Sequence, residues 1–179
     1  MHSLEEKVQK QACKPFRRVA VSVVVDIKIK KTPSYNVAYL TRVGSEGSDP
    51  LRREFNELTA WAKKQKLRTG KWIFAFYEGG RAPSRYKFEA CLEVPARAKS
   101  EGKIKVKKLD PITVASVKFN PDRVSPRLVY NGVYGWLKEN KDYKEAESYS
   151  REIYFGNPWT DSWVWARTEI QVPVKKKGR

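Results

Sequence analysis

The sequence predicts an α+β fold of two similar units side by side, each with the order strand, helix, strand, strand. Five segments of the first half recur in the same order in the second half, at offsets of 76 to 78 residues. Each half also contains one segment with helical periodicity, flanked by short alternating segments typical of strands. Each helix has a single apolar side, so both helices are expected to cover one face of a sheet.

The repeat also predicts the domain organisation. The matching segments are 27–33 with 104–111, 36–43 with 113–120, 49–64 with 125–140, 74–80 with 151–157, and 88–95 with 166–173. The expected parts are an N-terminal extension (1–24), one domain of two pseudo-symmetric βαββ modules (25–98 and 99–174) and a basic tail (175–179).

Both helices carry clear start signals. Asp49 and Ser125 are residue types that cap helix N-termini, and each is followed by a proline, which is tolerated at the first helical position. Apolar residues then recur at helical spacing, and these are Leu51, Phe55, Leu58 and Ala62, and Val129, Val133, Trp136 and Leu137. We expect them, Phe55, Leu58, Val129 and Leu137 above all, to be buried under the sheet.

The last strand has two different sides. In "SWVWARTEIQV" the even positions are small or aliphatic, whereas the odd positions are Trp163, Trp165, Arg167 and Glu169. The even side is expected to pack on the helices. If Ile153 also faces the helices, then Glu152 and Tyr154 share the opposite face with the odd positions, and Tyr77 joins them from the first module. This arrangement predicts a ligand cleft on the sheet face away from the helices.

Two simpler explanations of the same pattern stay open. An exposed strand often carries alternating charges, so Arg167 could pair with Glu169 or Glu152 across the surface. The tryptophans could instead cover the end of the fold or form a dimer contact. Several exposed indoles would create an unusually large apolar patch, and this argues against both explanations.

Composition excludes several classes of protein. No apolar run approaches the roughly 20 residues that cross a bilayer, and the acidic residues Glu5 and Glu6 precede any apolar run, which argues against a secretion signal. Two cysteines, Cys13 and Cys91, and the one histidine, His2, cannot assemble a zinc site or a histidine-based triad. We therefore expect a cytoplasmic protein without membrane segment, metal or cofactor.

The charge points towards anionic partners without specifying one. There are 37 basic and 20 acidic residues, a net charge of +17, and the lysines cluster at 28–31, 103–108 and 175–177. The first two clusters alternate with apolar residues, as on solvated strand faces, and the chain has no helix-turn-helix pattern. We expect nonspecific, salt-sensitive affinity for nucleic acid at most.

Several motifs together resemble the GyrI-like (DNA gyrase inhibitor-like) family of small-molecule-binding domains, which also serve as effector-binding modules of MerR- and AraC-type regulators. They are "VDIKIKKTPSYNVAYL", "AFYEGGRAPSRYKFEACLEVP", "WLKENKDY", "REIYFGNP" and "TEIQVPV", spread over residues 25–174. The resemblance implies paired βαββ modules with a central cleft that holds a glutamate among aromatic side chains. Carried over by position in "REIY", that glutamate is Glu152, with Tyr154, Tyr77 and the last strand as walls; Glu169 is a second candidate.

The expected function is that of a stand-alone protein that senses or sequesters planar, cationic or aromatic compounds. The expected ligand-binding residues are Glu152, Tyr154, Trp163, Trp165, Arg167, Glu169 and Tyr77. Two alternatives stay open. Some proteins of this family hydrolyse reactive electrophilic toxins, and here Glu152 would be the catalytic candidate, as a general base. The basic charge also suits an inhibitory partner of gyrase or DNA.

Overall fold

The computed structural model describes residues 25–45, 51–76, 85–157, 159 and 167–178. The strands and helices, in chain order, are β1 (Lys28–Lys31), β2 (Tyr35–Ser45), α1 (Leu51–Lys64), β3 (Trp72–Phe76), β4 (Arg85–Glu93), β5 (Lys105–Leu109), β6 (Thr113–Phe119), α2 (Pro126–Glu139), β7 (Tyr143–Glu145), β8 (Arg151–Tyr154) and β9 (Thr168–Lys176). The expectation of a mixed, α+β fold is confirmed.

The strands form one antiparallel sheet in the order β1-β6-β9-β8-β3-β4-β2-β5, and β7 pairs with the end of β9. The centre of the sheet is the pairing of β3 with β8, where Ile73 lies opposite Ile153. Strands β2 to β5 therefore lie on one side of the centre, and β6, β8 and β9 lie on the other with β1. The two sequence halves meet at β3 and β8, and they exchange their first strands, because β1 pairs with β6 and β5 pairs with β2.

Both helices cover the same face of this sheet. Helix α1 packs through Phe55 and Leu58 on the side chains of β2 and β4, and α2 packs through Val129 and Leu137 on those of β6 and β9. At the centre, Trp72 of β3 lies directly opposite Tyr154 of β8, and both belong to the core under α1. The predicted burial of Phe55, Leu58, Val129 and Leu137 is confirmed.

Helix α2 begins as its sequence predicts. Ser125 has an extended backbone, its hydroxyl accepts a hydrogen bond from the Leu128 backbone nitrogen, and Pro126 occupies the first turn. The cap satisfies one of the backbone N–H groups that lack a helical partner at that end. For α1, whose described residues start at Leu51, the predicted cap Asp49 lies outside the described residues.

The predicted face of β8 is wrong. Residues that lie directly opposite each other on paired antiparallel strands point to the same side of the sheet. Glu152 lies opposite Ile170, which belongs to the core under α2, whereas Ile153 lies opposite Glu169. Glu152 and Tyr154 therefore face the helices, and Ile153 faces away from them.

Two expectations about the lysines also need correction. Most of the clustered lysines are exposed, but Lys30 and Lys107 are half-buried and form ion pairs with the buried carboxylates of Glu169 and Glu89. In addition, β9 continues through Lys176 and pairs with β7, so it runs two residues into the segment predicted as a tail. Within the described residues, no helix is long and apolar enough to span a bilayer.

Candidate functional site

A buried carboxylate lies on the helix-covered face, where the two halves of the sheet meet. Glu152 of β8 is 7% exposed. Its Oε2 accepts a hydrogen bond of 2.5 Å from the Tyr154 hydroxyl, and its Oε1 accepts a longer one of 3.4 Å from the Tyr130 hydroxyl of α2. No ion pair to Glu152 is formed by any described residue. Two phenols, rather than a cation, are its partners.

The surroundings of Glu152 favour its neutral form. Burial raises the pKa of the Glu152 carboxyl group, and the two tyrosine hydrogen bonds oppose that rise without cancelling it. Burial also raises the pKa of Tyr130, and the nearby Glu152 charge adds to that effect. The Tyr130 hydroxyl therefore remains a donor, and Glu152 is a desolvated acid whose charge lacks a counter-ion among the described residues.

An aromatic cluster lies beside Tyr154, the closer hydrogen-bond partner of Glu152, on the side of α1. Tyr154 packs with Phe55 and Trp72, whose ring centroids lie 4.4 Å apart in an edge-to-face arrangement. Trp159 packs against the same cluster, with its ring centroid 5.8 Å from that of Phe55. These rings form an aromatic wall, defined here as Phe55, Trp72, Tyr154 and Trp159.

Helix α2 supplies a second row of aromatic groups. The rings of Tyr130 and Tyr134, one helical turn apart, stack with centroids 6.3 Å apart. The Tyr134 hydroxyl lies 3.5 Å from the hydroxyl of Ser150, which precedes β8. Neither tyrosine was among the predicted site residues. Their i, i+4 spacing beside the apolar stripe of Val129 and Val133 is the signal that could have found them.

The structure brings together only some of the predicted site residues. Glu152 and Tyr154 lie side by side on β8, as expected. Arg167 occupies an exposed position just before β9, and Glu169 lies on the opposite face of the sheet from Glu152. The predicted positions Tyr77, Trp163 and Trp165 lie outside the described residues, so their role as walls stays a prediction.

Glu169 belongs to a separate polar network on the face away from the helices. Its Oε1 forms a 2.6 Å ion pair with Lys30 and accepts hydrogen bonds from Ser116 and Gln171. Burial alone would raise the pKa of Glu169, but these hydrogen bonds outweigh it and the pKa is lowered. Glu169 is thus a neutralised structural anion, in contrast to Glu152.

The two carboxylates differ in what they can do chemically. Glu169 already has a cationic partner, so a further cation would gain little there. Glu152 can accept a cation or a proton, and its two hydrogen-bond partners, Tyr130 and Tyr154, carry rings of the kind that attracts cations. In the described part of the chain, no cluster of three or more His, Cys, Asp or Glu side chains is placed to hold a metal ion.

Comparison with known proteins identifies the family. The model of the GyrI-like small molecule binding domain matches residues 26–175. Among solved structures, the chain is similar to the EcmrR C-terminal domain, with 21% identity and a TM-score of 0.67 over 87% of this chain and 100% of that one. No curated protein sequence matches significantly.

Two further structures share the fold at lower identity. A hydrolase from Listeria innocua has 11% identity and a TM-score of 0.58, over 83% of this chain and 91% of that one. SAV2435, solved with bound tetraphenylphosphonium, has 12% identity and a TM-score of 0.50, over 84% and 94%. Because the family model spans nearly the whole chain, this protein belongs to the GyrI-like family of small-molecule-binding domains.

Proposed function

We propose that this protein senses or sequesters planar, cationic or aromatic small molecules, and that it binds them on the helix-covered face of the sheet with Glu152 as the central anion. One observation carries the proposal: the Glu152 carboxylate is buried, held by two tyrosine hydroxyls, and without a cationic partner among the described residues. The aromatic wall lies beside it. The site is thus prepared for a positive charge that the described part of the protein does not supply.

Desolvation of Glu152 favours the binding of a cation. A carboxylate moved out of water loses solvation, and this is the cause of the raised pKa of Glu152. A bound cation would restore the charge balance, and each aromatic face that it contacts adds about 0.5–2 kcal/mol of cation–π attraction. Because both carboxylate oxygens already accept tyrosine hydrogen bonds, a diffuse aromatic cation suits the site better than a compact ammonium that needs several acceptors.

Access to Glu152 requires side-chain movement. Glu152 and Tyr154 are each less than a tenth exposed, so a drug-sized ligand has to displace part of the aromatic wall. Trp159 is the member of the wall that is only partly buried. We therefore place the entry to the site on the Trp159 side, and we expect binding to change tryptophan fluorescence.

The internal repeat supports a cleft between two equivalent modules. We infer pseudo-twofold symmetry about the pairing of β3 with β8, because the strand order is the same when counted outward from that pair. Each half of the sheet also contains a buried glutamate paired with a lysine of its edge strand: Glu169 with Lys30, and Glu89 with Lys107. In such a scaffold Glu152 occupies a position close to the symmetry axis, where residues from both modules can reach one ligand.

Replacing Glu152 by glutamine tests the electrostatic role. Glu152→Gln keeps the size of the side chain and removes its charge, so it should weaken binding of tetraphenylphosphonium by about 1–3 kcal/mol, the range for a hydrogen-bonding partner that is charged. The neutral triphenylphosphine oxide, of similar shape, should bind the variant and the wild type almost equally. Isothermal titration calorimetry with both compounds measures the difference.

Glu54→Gln is the matched control. Glu54 is another buried carboxylate on the helix-covered side, but it is paired with Arg42 at 3.2 Å. Its substitution should leave the preference for the cation over the neutral compound intact. Equal loss of both compounds in Glu152→Gln would indicate damaged packing, and an unchanged cation affinity would refute the assignment of Glu152.

Hydrolysis is a second candidate function that the same residue supports. A carboxyl group with a raised pKa can act as a general base near neutral pH. The distinguishing result is turnover: an epoxide or a similar strained electrophile should be consumed catalytically by the wild type and not by Glu152→Gln. Stoichiometric binding without product favours the binding function.

A further inference from the structure

A second buried charge lies on the face of the sheet away from the helices. Arg151 of β8 is 3% exposed, and it lies opposite Ala75 on one side and Gln171 on the other. Its Nε and Nη1 are buried and have no hydrogen-bond partner. None of the described residues forms an ion pair with it. The guanidinium group is therefore buried at the centre of the sheet without a counter-ion in the described structure.

Among the described residues, the two buried carboxylates on this face are already engaged with lysines. Glu169 is paired with Lys30 at 2.6 Å, and Glu89 is paired with Lys107 at 2.5 Å. The Arg151 guanidinium lies over the Tyr149 ring, 6.0 Å from its centroid. Gln171, directly across from Arg151, has a buried Oε1 without a partner. Unpaired donors and an unpaired acceptor thus lie on neighbouring strands.

An uncompensated guanidinium in this position is costly. Arginine does not deprotonate in proteins, so it cannot relieve the cost by becoming neutral. Taking a charge out of water costs several kcal/mol per ion even after the protein relaxes. Water could satisfy the unpaired N–H groups but would leave the charge unbalanced. Burial accordingly lowers the pKa of Arg151, and the Tyr149 and Cys91 groups oppose that effect.

We propose that Arg151 is the anchor of a binding site for a small carboxylate anion on the face of the sheet away from the helices. A carboxylate supplies the missing charge and two acceptor oxygens that match the guanidinium donors. The site is separate from the proposed cation site, because Arg151 and Glu152 are consecutive residues of one strand and their side chains point to opposite faces.

Formate is the probe, because it is the smallest carboxylate. In a buffer without other small carboxylates, the melting temperature of the wild type should rise with formate and then saturate. The expected rise is roughly 3–6 °C when formate is about ten times its dissociation constant, from ligand linkage and the usual temperature shift for a chain of this size. Arg151→Met should lose the saturable rise and should melt no lower than the wild type without formate, since it removes the buried charge.

Lys28→Met is the matched control, because Lys28 carries the same charge on the same face but is exposed at the edge. It should keep the wild-type response to formate. An equal response in Arg151→Met, or no saturable response in the wild type, would overturn the proposal; the second outcome would mean that the chain itself covers the charge. If Arg151→Met does not fold, Arg151→Lys should need at least about tenfold more formate, as a point charge lacks the planar donors, and an unchanged midpoint would contradict the site.

Discussion

Glu169→Gln is expected to lower the free energy of unfolding by about 1.5–3 kcal/mol, the range for hydrogen bonds to charged groups, and to leave cation binding unchanged. The carboxylate holds Lys30, Ser116 and Gln171 together on the face away from the helices. Removing its charge leaves a half-buried lysine without its partner, although Lys30 is exposed enough to turn towards water. Chemical denaturation with urea measures the loss, and calorimetry with tetraphenylphosphonium tests the unchanged affinity.

The pH dependence gives this prediction a sign. The pKa of Glu169 is lowered in the folded protein, so its stabilising effect is complete above the ordinary pKa of a glutamate and is lost as the pH falls through the lowered value. The difference between wild type and variant should therefore shrink at acidic pH. Glu101→Gln, which removes an exposed partner of Lys64, should barely change stability. A loss of cation affinity in Glu169→Gln would show that the face assignment is wrong.

As the pH rises towards the raised pKa of Glu152, the affinity for a cation should increase by up to about tenfold per pH unit. Above that pKa the affinity should no longer change with pH. A protonated Glu152 has to release its proton before it can pair with a cation, so binding and ionisation are linked. Burial raises this pKa in the ligand-free protein, and a bound cation lowers it again, so the dependence extends from the pKa of Glu152 in the complex up to the raised value. Titrations with tetraphenylphosphonium between pH 4 and 8 (roughly, the range in which carboxyl groups with raised pKa ionise) measure it.

The ligand-free protein should show the opposite trend through the same group. A raised pKa means that the folded state holds the proton more tightly than the unfolded state, so the contribution of Glu152 to stability falls as the pH rises from the ordinary pKa of a glutamate through the raised value. Glu152→Gln should abolish both dependences, whereas Glu54→Gln should keep them. Affinity that does not vary with pH in the wild type would mean that Glu152 is not the group that meets the cation.

Much of the fold follows from local patterns in the sequence. The helices were predictable because the apolar residues recur at helical spacing and Ser125 and Pro126 mark the start of α2. Alternation in β9 correctly placed Ile170 and Val172 on the helix-packed side. These predictions succeed because each depends on residues within one element, whose geometry is fixed by its own backbone.

The face of β8 was not predictable in the same way. The strand has four residues, Arg151 to Tyr154, and all of them are buried, so burial does not distinguish its two sides. Its orientation is set by pairing with β3 and β9, and a one-residue shift of register exchanges the two faces. Assuming that apolar Ile153 faced the helices placed Glu152 on the wrong side. The structure instead puts the apolar residue opposite Glu169 and the acid under α2.

The partners of Glu152 were missed because they come from distant parts of the chain. Tyr130 lies on α2, and Trp72 lies on β3 in the other half of the sequence. The packing of α2 brings the Tyr130 hydroxyl to Glu152, and the pairing of β3 with β8 places Trp72 opposite Tyr154. A motif identifies Glu152 as a candidate, but the tertiary structure determines which rings surround it.

A crystal structure of the protein with bound tetraphenylphosphonium tests the central claim most directly. We expect the cation on the helix-covered face, with its charged centre within roughly 6 Å of an aromatic ring centroid, the range for cation–π contact, and with Glu152 as the nearest carboxylate. Tyr154 and the other rings of the aromatic wall should contact its phenyl groups. A cation bound on the opposite face, beside Glu169, would contradict the account.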